Sequence, residues 1–547
     1  MSLGHLSVLL AAGAVGAVLA SGGLGHRRAA PKAPAARRPP VSGPRRARSL
    51  PEGARWARPA DLRSLRSSGA TRGRLVLGEE VGRVLRHQVL AAEPAQSVAV
   101  IGPTQSGKTT SLAIPAILRW EGPVLAASVK TDLVRDTLEW RRRLGTVWCF
   151  DPAGTTGLPR SPWSPVSAAR TWARARRVAS DLTDVARGDG TSADGEFWYA
   201  TAAKLLAPLL FAAAVDGRTM HDVVRWVDTQ ETEEVLDILQ ASGVPDALQA
   251  ARATWLRDER QRSAVYTTAE TVLEPFAEPQ SRWEGWPDQH TPPYGVPVGG
   301  EIGPEIGGEI DPAELPRGPH TLYMCAPAHD QQRLRAVFCA LVSQVVHAAF
   351  AAASRTGRPL DPPMLVVLDE AANIAPLKEL DGLAATCAGH GVQLVTVWQD
   401  LAQVRARYGE RAATVVNNHR AKLFLPGIAD PGTLDFASHL AGDQLLETPS
   451  VTHGARGERT VTTSPQVRRL LPPDTLRRLP KGDAVLLYGA LPPVRLRLRS
   501  WFTDPDLVAR GRSGDRTRLA VPDRTTWRPV PRWLRRWTGR PALQSHP

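Results

Sequence analysis

The ten residues Ile101-Gly-Pro-Thr-Gln-Ser-Gly-Lys-Thr-Thr110 constrain this chain more than any other stretch. They follow the apolar run Ser97-Val-Ala-Val100 and precede the helical pattern Ser111-Leu-Ala-Ile-Pro-Ala-Ile-Leu118. Strand, glycine loop and helix form the setting in which G-x-x-x-x-G-K-[ST] cradles phosphate. The loop turns tightly enough for successive backbone N–H groups to point inward at phosphate oxygens. The helix behind it adds the partial positive charge of its N-terminus. Gly102, Pro103, Thr104, Gln105, Ser106, Gly107, Lys108, Thr109 and Thr110 are therefore expected to bind a nucleotide. Lys108 supplies a point charge to the β/γ-phosphates, and the Thr109 hydroxyl can enter a Mg²⁺ shell.

A loop of this kind needs a parallel sheet behind it, and the chain supplies the strands. Short β-like runs occur at 74–78, 97–101, 124–129, 146–150, 320–325, 364–368, 392–398 and 421–425. Several are continuously apolar, as expected of strands covered on both faces. The expected fold is α/β: a RecA-like phosphate-loop ATPase domain with a mostly parallel sheet, in two parts, 74–166 and 319–502. The segment 167–280 reads as an inserted all-α domain. Its apolar run Leu205–Ala214 is too short to span a bilayer and is read as a buried helix. A Gly/Pro-rich loop is expected over 281–318. Residues 484–489 and 494–498 flank Pro492-Pro493 and suggest a terminal β-ribbon.

The ends of the chain differ in composition. The net charge of +14 at 547 residues is concentrated early. The many cations from Arg27 to Arg74 face only Glu52 and Asp61 as acids, which favours a polyanionic partner, nucleic acid or an anionic membrane leaflet. Leu6 to Gly25 carries no charge and is long enough to cross a membrane. Basic residues follow it, which puts the bulk of the chain in the cytoplasm. The expected plan is thus a single-pass anchor (1–26), a basic Pro/Arg-rich linker (27–73), the ATPase with its insertion, and a basic tail (503–547). Cys149, Cys325, Cys339 and Cys387 form no C-x-x-C pair, so neither a metal site nor a disulfide framework is expected.

A second chemical element is Met364-Leu-Val-Val-Leu-Asp-Glu370, an apolar strand ending in two acids. Beside a phosphate loop, Asp369 is placed to hold Mg²⁺ and Glu370 to polarise the attacking water. ATP and Mg²⁺ are the expected cofactors. Lys108 and Glu370 are the expected catalytic pair, with Thr109 and Asp369 on the metal. Val392-Gln-Leu-Val-Thr-Val-Trp-Gln399 is a further buried strand ending in an amide. In RecA-like ATPases an adjacent strand commonly ends in a γ-phosphate sensor, so Gln399 takes that role.

The order of these pieces resembles the type IV secretion coupling proteins, the TraG/TraD class of conjugative DNA-transfer ATPases. The resemblance runs from about residue 76 to 490. It is carried by the loop Gly102–Thr109, Ser128-Val-Lys-Thr-Asp-Leu133, Phe150-Asp-Pro152, Ser161-Pro-Trp-Ser-Pro165 and Phe197-Trp198. It continues through Leu368-Asp-Glu-Ala-Ala-Asn-Ile-Ala375, Gly391 to Gln399 with Gln403 and Tyr408-Gly409, and Leu479-Pro480-Lys-Gly-Asp-Ala-Val485. The chain departs from that family in having one apolar N-terminal stretch where members often carry two. It also has Ala371 where many carry an aromatic. The resemblance implies a membrane-bound homo-hexamer with ATP at subunit interfaces. Its cargo would be single-stranded DNA or a relaxase–DNA complex, delivered to type IV secretion channel proteins. A neighbour's arginine would complete each site, with Arg405, Arg407 and Arg420 as candidates. The competing readings are a soluble double-stranded DNA pump of the FtsK/HerA kind and a non-hydrolytic cargo-docking adaptor.

Overall fold

The computed structural model describes residues 53–67, 73–81, 88–186, 193–277, 307–327, 329–453 and 459–511. The anchor stretch 6–25, most of the linker and the tail beyond 511 lie outside the described residues. So does the unit Met1–Pro51 as a whole.

Thirteen strands occur among the described residues: β1 (Val76–Glu80), β2 (Val89–Ala91), β3 (Val98–Ile101), β4 (Val124–Ser128), β5 (Val147–Phe150), β6 (Thr321–Cys325), β7 (Met364–Leu368), β8 (Val392–Trp398), β9 (Ala421–Phe424), β10 (Asp443–His453), β11 (Arg459–Arg469), β12 (Asp483–Tyr488) and β13 (Val494–Arg497). Eleven join one sheet in the order β2-β1-β13-β12-β9-β3-β8-β7-β4-β6-β5. From β9 to β5 every neighbour is parallel. From β9 through β12 to β2 every pairing is antiparallel.

The apolar runs lack alternation because both faces of the sheet are covered. Val98, Val100, Leu365, Val367, Val395 and Val397 enter one core with Leu112, Ile114, Ile117, Leu133 and Leu138 of the helical segments at 109–119 and 132–144. Ala99, Ile101, Val366, Leu368 and Leu394 enter the other, with Leu205, Leu209, Phe338 and Leu341. Neighbouring residues of one strand point to opposite faces, so each strand must be apolar throughout.

Between β5 and β6 the described chain forms only helices and short turns. These helices share one continuous core with the sheet face and have no separate one. The helices Ala193–Val215 and Gln331–Thr356 are long and apolar enough to cross a bilayer. In each, 61% of the apolar window is buried in the fold. The run 205–214 is buried, as expected, and burial rather than shortness is the reason, because the helix runs well beyond that apolar stretch.

Four boundaries differ from the sequence reading. Residues 53–67, read as linker, already pack into the fold ahead of 74. Leu62 and Leu65 are fully buried, Arg55 pairs with Asp61 at 2.6 Å, and Arg74 donates to the carbonyls of Ser64, Ala91 and Ala92. Two arginines that read as part of a basic arm, Arg55 and Arg74, are therefore structural. The end of the Gly/Pro-rich loop packs on β5, where the Gly307 N–H reaches the Val147 carbonyl at 3.0 Å and Ile310 is buried. The strands at 483–497 join the main sheet edge through β9 and form no free ribbon. The helix Pro505–Gly511 packs back on the helix Asp132–Leu144, with Gly511 against Trp501, so the domain continues to 511. The free ribbon is β10–β11, which the sequence did not signal. Its Pro449 and Pro465 and its exposed Leu445 and Val467 break the pattern of a half-buried strand, and a ribbon of two edge strands tolerates both.

Two buried polar groups hold the sheet together. Arg141 is fully buried and meets no carboxylate among the described residues. Its guanidinium donates to the carbonyls of Trp120, Gly122 and Pro319 and to Thr321 Oγ1. It thereby joins the loops entering β4 and β6. Arg141→Met leaves three carbonyls buried and unbonded, and is expected to cost about 3 kcal/mol or more in denaturant unfolding. Arg141→Lys should recover only part of this, because an ammonium lacks the guanidinium's planar fork.

His419 is fully buried before β9. Its Nδ1 lies 2.7 Å from the Val415 carbonyl and its Nε2 3.0 Å from Thr396 Oγ1. A carbonyl only accepts, so Nδ1 carries the proton. In the neutral ring Nε2 accepts from Thr396, whose oxygen accepts from Trp398 Nε1 at 2.8 Å. Burial pushes the His419 pKa down to about 4 from an ordinary 6.5. The unfolded chain takes up this proton below 6.5, whereas the folded chain resists until about 4. The contribution to stability is therefore complete above the first value and is lost as pH falls to the second, on the order of 3 kcal/mol. Denaturant unfolding at pH 7.5 and 4.5 should show this loss, and His419→Gln should remove that part of the slope.

Candidate active site

Because β3, β8, β7 and β4 are parallel neighbours, their C-terminal ends open on one edge of the sheet, where α/β folds bind ligands. The ladder continues one residue past the strands. The Gly102 N–H reaches the Trp398 carbonyl at 3.1 Å, and the Asp369 N–H reaches the Ala127 carbonyl at 2.9 Å. Strand order therefore places Gln399 between Gly102 and Asp369.

The phosphate loop has the backbone its spacing demands. Gln105 and Gly107 have φ of 63° and 94°, a left-handed geometry that turns successive N–H groups to one side. Gly102 needs its lack of a side chain, since a Cβ would come within 2.8 Å of Leu425 and 2.9 Å of Ser106. Lys108 Nζ reaches back across the loop to the carbonyls of Gly102 and Pro103. Burial lowers its pKa, and the charges of Asp369 and Glu370 oppose that. Thr109 and Thr110 open the π-type turn Thr109–Ala113, which runs into the helix Ile114–Arg119. Thr104 and Gln105 are exposed, with Ser106 buried beneath them.

Asp369 is 4% exposed. One of its oxygens receives hydrogen bonds from Thr109 Oγ1 at 3.1 Å and Ser128 Oγ at 3.3 Å. Burial and then the charge of Asp132 push its pKa up to about 6. A buried carboxylate held among hydroxyls and further acids fits a divalent cation. The Thr109 and Asp369 oxygens stand together at the mouth of the phosphate loop, where Mg²⁺ joins phosphate oxygens to one carboxylate and a hydroxyl. Glu370 follows at φ 66°, ψ 54°, a left-handed conformation costly for a residue with a Cβ. Asn373 Nδ2 lies 3.4 Å from its Oε2. Gln399 sits at the expected strand end, its N–H bonded to Gln403 Oε1 at 3.1 Å.

The arginines divide by sheet edge. Arg405 and Arg407 lie on the helix Leu401–Tyr408, just after Gln399 and on the edge that carries the loop. Arg420 precedes β9 and so lies on the opposite edge. There it pairs with Glu93 at 3.1 Å and stacks over Tyr488 at 5.4 Å. Any part it plays at the strand ends would therefore be at a neighbour's site and not at its own. Ser128 is the residue sequence reasoning left without a role. Its signals were its place at the end of β4 and at the head of the stretch Ser128–Leu133 that carries the resemblance.

Fold and site define a RecA-like phosphate-loop nucleotide-binding protein with an extra strand between its two motif strands. The family model "Type IV secretory system Conjugative DNA transfer" matches residues 56–283, and "TraM recognition site of TraD and TraG" matches 363–481. The conjugal transfer protein TraG of Escherichia coli is 25% identical over 460 residues, covering 76% of this chain and 68% of the relative. VirD4 of Rhizobium radiobacter is 22% identical over 430 residues, covering 75% and 57%. Among solved structures, the conjugative coupling protein TrwBdeltaN70 superposes with a TM-score of 0.57 at 17% identity, covering 80% of this chain and 96% of that one. TrwB in complex with ADP and Mg²⁺ gives 0.54 at 18%, covering 79% and 96%. The chain belongs to the type IV secretion coupling-protein family.

Asp369→Asn keeps an acceptor for Thr109 and Ser128 but removes the charge. Titration with fluorescent ADP should show tighter binding with Mg²⁺ than with EDTA for the unaltered chain, and no such difference for the variant.

Proposed function

We propose that this chain is the motor of a DNA-transfer system, hydrolysing ATP to move DNA, as single strands or with a bound relaxase, into a secretion channel. The observation that carries the reading is the 3.1 Å contact between Thr109 and Asp369 with Glu370 beside it. It joins the phosphate cradle to the acids that hydrolysis needs. The family supplies the cargo class.

In this reading the loop N–H groups and the helix N-terminus hold the phosphates, and Lys108 exchanges its carbonyl partners for β- and γ-phosphate oxygens. Thr109 and Asp369 would hold the Mg²⁺, which neutralises charge on the phosphates. Glu370 accepts a proton from water as the water oxygen bonds to the γ-phosphorus. The bond to the bridging oxygen breaks, leaving ADP and phosphate. Gln399, between the two motifs, would respond to the γ-phosphate. Arg405, Arg407 and Arg420 are the candidates to serve a neighbour's site in a ring of six. The stretch 6–25 would anchor the ring in the cytoplasmic membrane, with the ATPase inside.

The test is ATP turnover by the full chain with single-stranded DNA, with duplex, and without DNA. Stimulation by single strands is expected. Glu370→Gln should lower turnover by about 10²–10⁴-fold and leave nucleotide binding intact. Stimulation by duplex alone would replace this reading with a double-strand pump. Nucleotide binding without turnover in any condition would replace it with an adaptor.

A further inference from the structure

The turn after β4, Ser128-Val-Lys130, forms a wall of the active site to which neither motif assigns a role. Ser128 is 1% exposed, and its hydroxyl has two partners. It donates to Asp369 Oδ2 at 3.3 Å and accepts the Lys130 N–H at 3.1 Å. Since Thr109 Oγ1 also donates to that carboxylate oxygen at 3.1 Å, the Lys130 backbone stands three hydrogen bonds from the phosphate loop. The serine thus fixes both the Asp369 carboxylate and the start of the Lys130 side chain. That side chain is exposed and makes no ion pair among the described residues. It carries its charge on a flexible four-carbon stem. It also lies close enough to Lys108 for its charge to help lower the Lys108 pKa, after burial.

The balance of charge at this edge favours such a cation. Asp369 and Glu370 stand near Lys108, with Asp132 near Asp369, and a nucleoside triphosphate brings further negative charge on its terminal phosphate. The location selects that phosphate. Ser128 touches Asp369, and Glu370, the base of the hydrolytic reading, is the next residue along the chain. The opposite end of the loop leads to Ser111, whose hydroxyl lies 3.1 Å from Ser500 Oγ.

We propose that Lys130 is a second phosphate-binding cation of this site, delivered by the Ser128 turn to the γ-phosphate. The inference rests on the nucleotide reading above and extends it to the discrimination of triphosphate from diphosphate. A charge that meets only the terminal phosphate tightens ATP and leaves ADP unaffected. The site would then hold substrate more firmly than product.

Equilibrium titration of the full chain with fluorescent ADP and with a non-hydrolysable ATP analogue, both with Mg²⁺, tests this. Lys130→Ala should weaken the analogue about tenfold and change ADP by less than about twofold. Lys130→Arg should restore most of the loss. The melting temperature of Lys130→Ala without nucleotide should be unchanged, since the side chain is exposed. Equal loss for both nucleotides, or no loss for either, overturns the proposal. Lys108→Ala is the separate control, expected to weaken both. If both nucleotides bind it as tightly as the unaltered chain, the nucleotide-site reading itself fails, whatever Lys130 shows.

Discussion

Thr109 and Asp369 are 260 residues apart in sequence and 3.1 Å apart in space. The site depends on that closure. The loop alone is an anion cradle, and the acids alone are the buried end of a strand. They meet because β3 and β7 flank β8 in a parallel sheet, whose register fixes which residues share the C-terminal edge. A slip of one residue along β7 would turn Asp369 to the opposite face and take its carboxylate away from Thr109.

The rest of the fold keeps that register. Arg141 ties the loops that lead into β4 and β6, at the edge opposite the site. The chain from Val415 through His419 and Thr396 to Trp398 fixes β8 against the helix before β9, directly under Gln399. Both devices place polar groups in the interior, where they are tolerable because each is bonded. They hold the strands firmly while the chemistry sits on the loops above. The helices between β5 and β6 belong to the same framework, because their core is the sheet's own second face. Movement there would be felt directly by the strands that carry Asp369 and Gln399.

Much of the fold was legible because its signals are local. Continuous apolar runs located β3 to β9 closely, and the glycine and lysine spacing located the loop. What failed were the segments that borrow stability from distant partners. Leu62 and Leu65 looked like parts of a basic linker, since two leucines among arginines carry no period. Helix 505–511 looked like the start of a tail, and only Trp501 and the helix at 132–144 show why it is held. The ribbon β10–β11 went unseen because most of its stability lies in its own ladder of backbone bonds, which leaves no mark in side-chain pattern.

For the site, the sequence by itself determined the chemistry available: a phosphate loop, a paired Asp369 and Glu370, an amide at Gln399. Each follows from residue type next to a strand end, and local spacing is enough to define it. Tertiary structure decided which groups meet. It brought Ser128 to Asp369 and Lys130 toward Lys108, put Arg405 and Arg407 on the working edge, and removed Arg420 to the far one. Those outcomes depend on strand order and direction. These are properties of the whole sheet, set by how two cores close over it, and no window of neighbouring residues contains them.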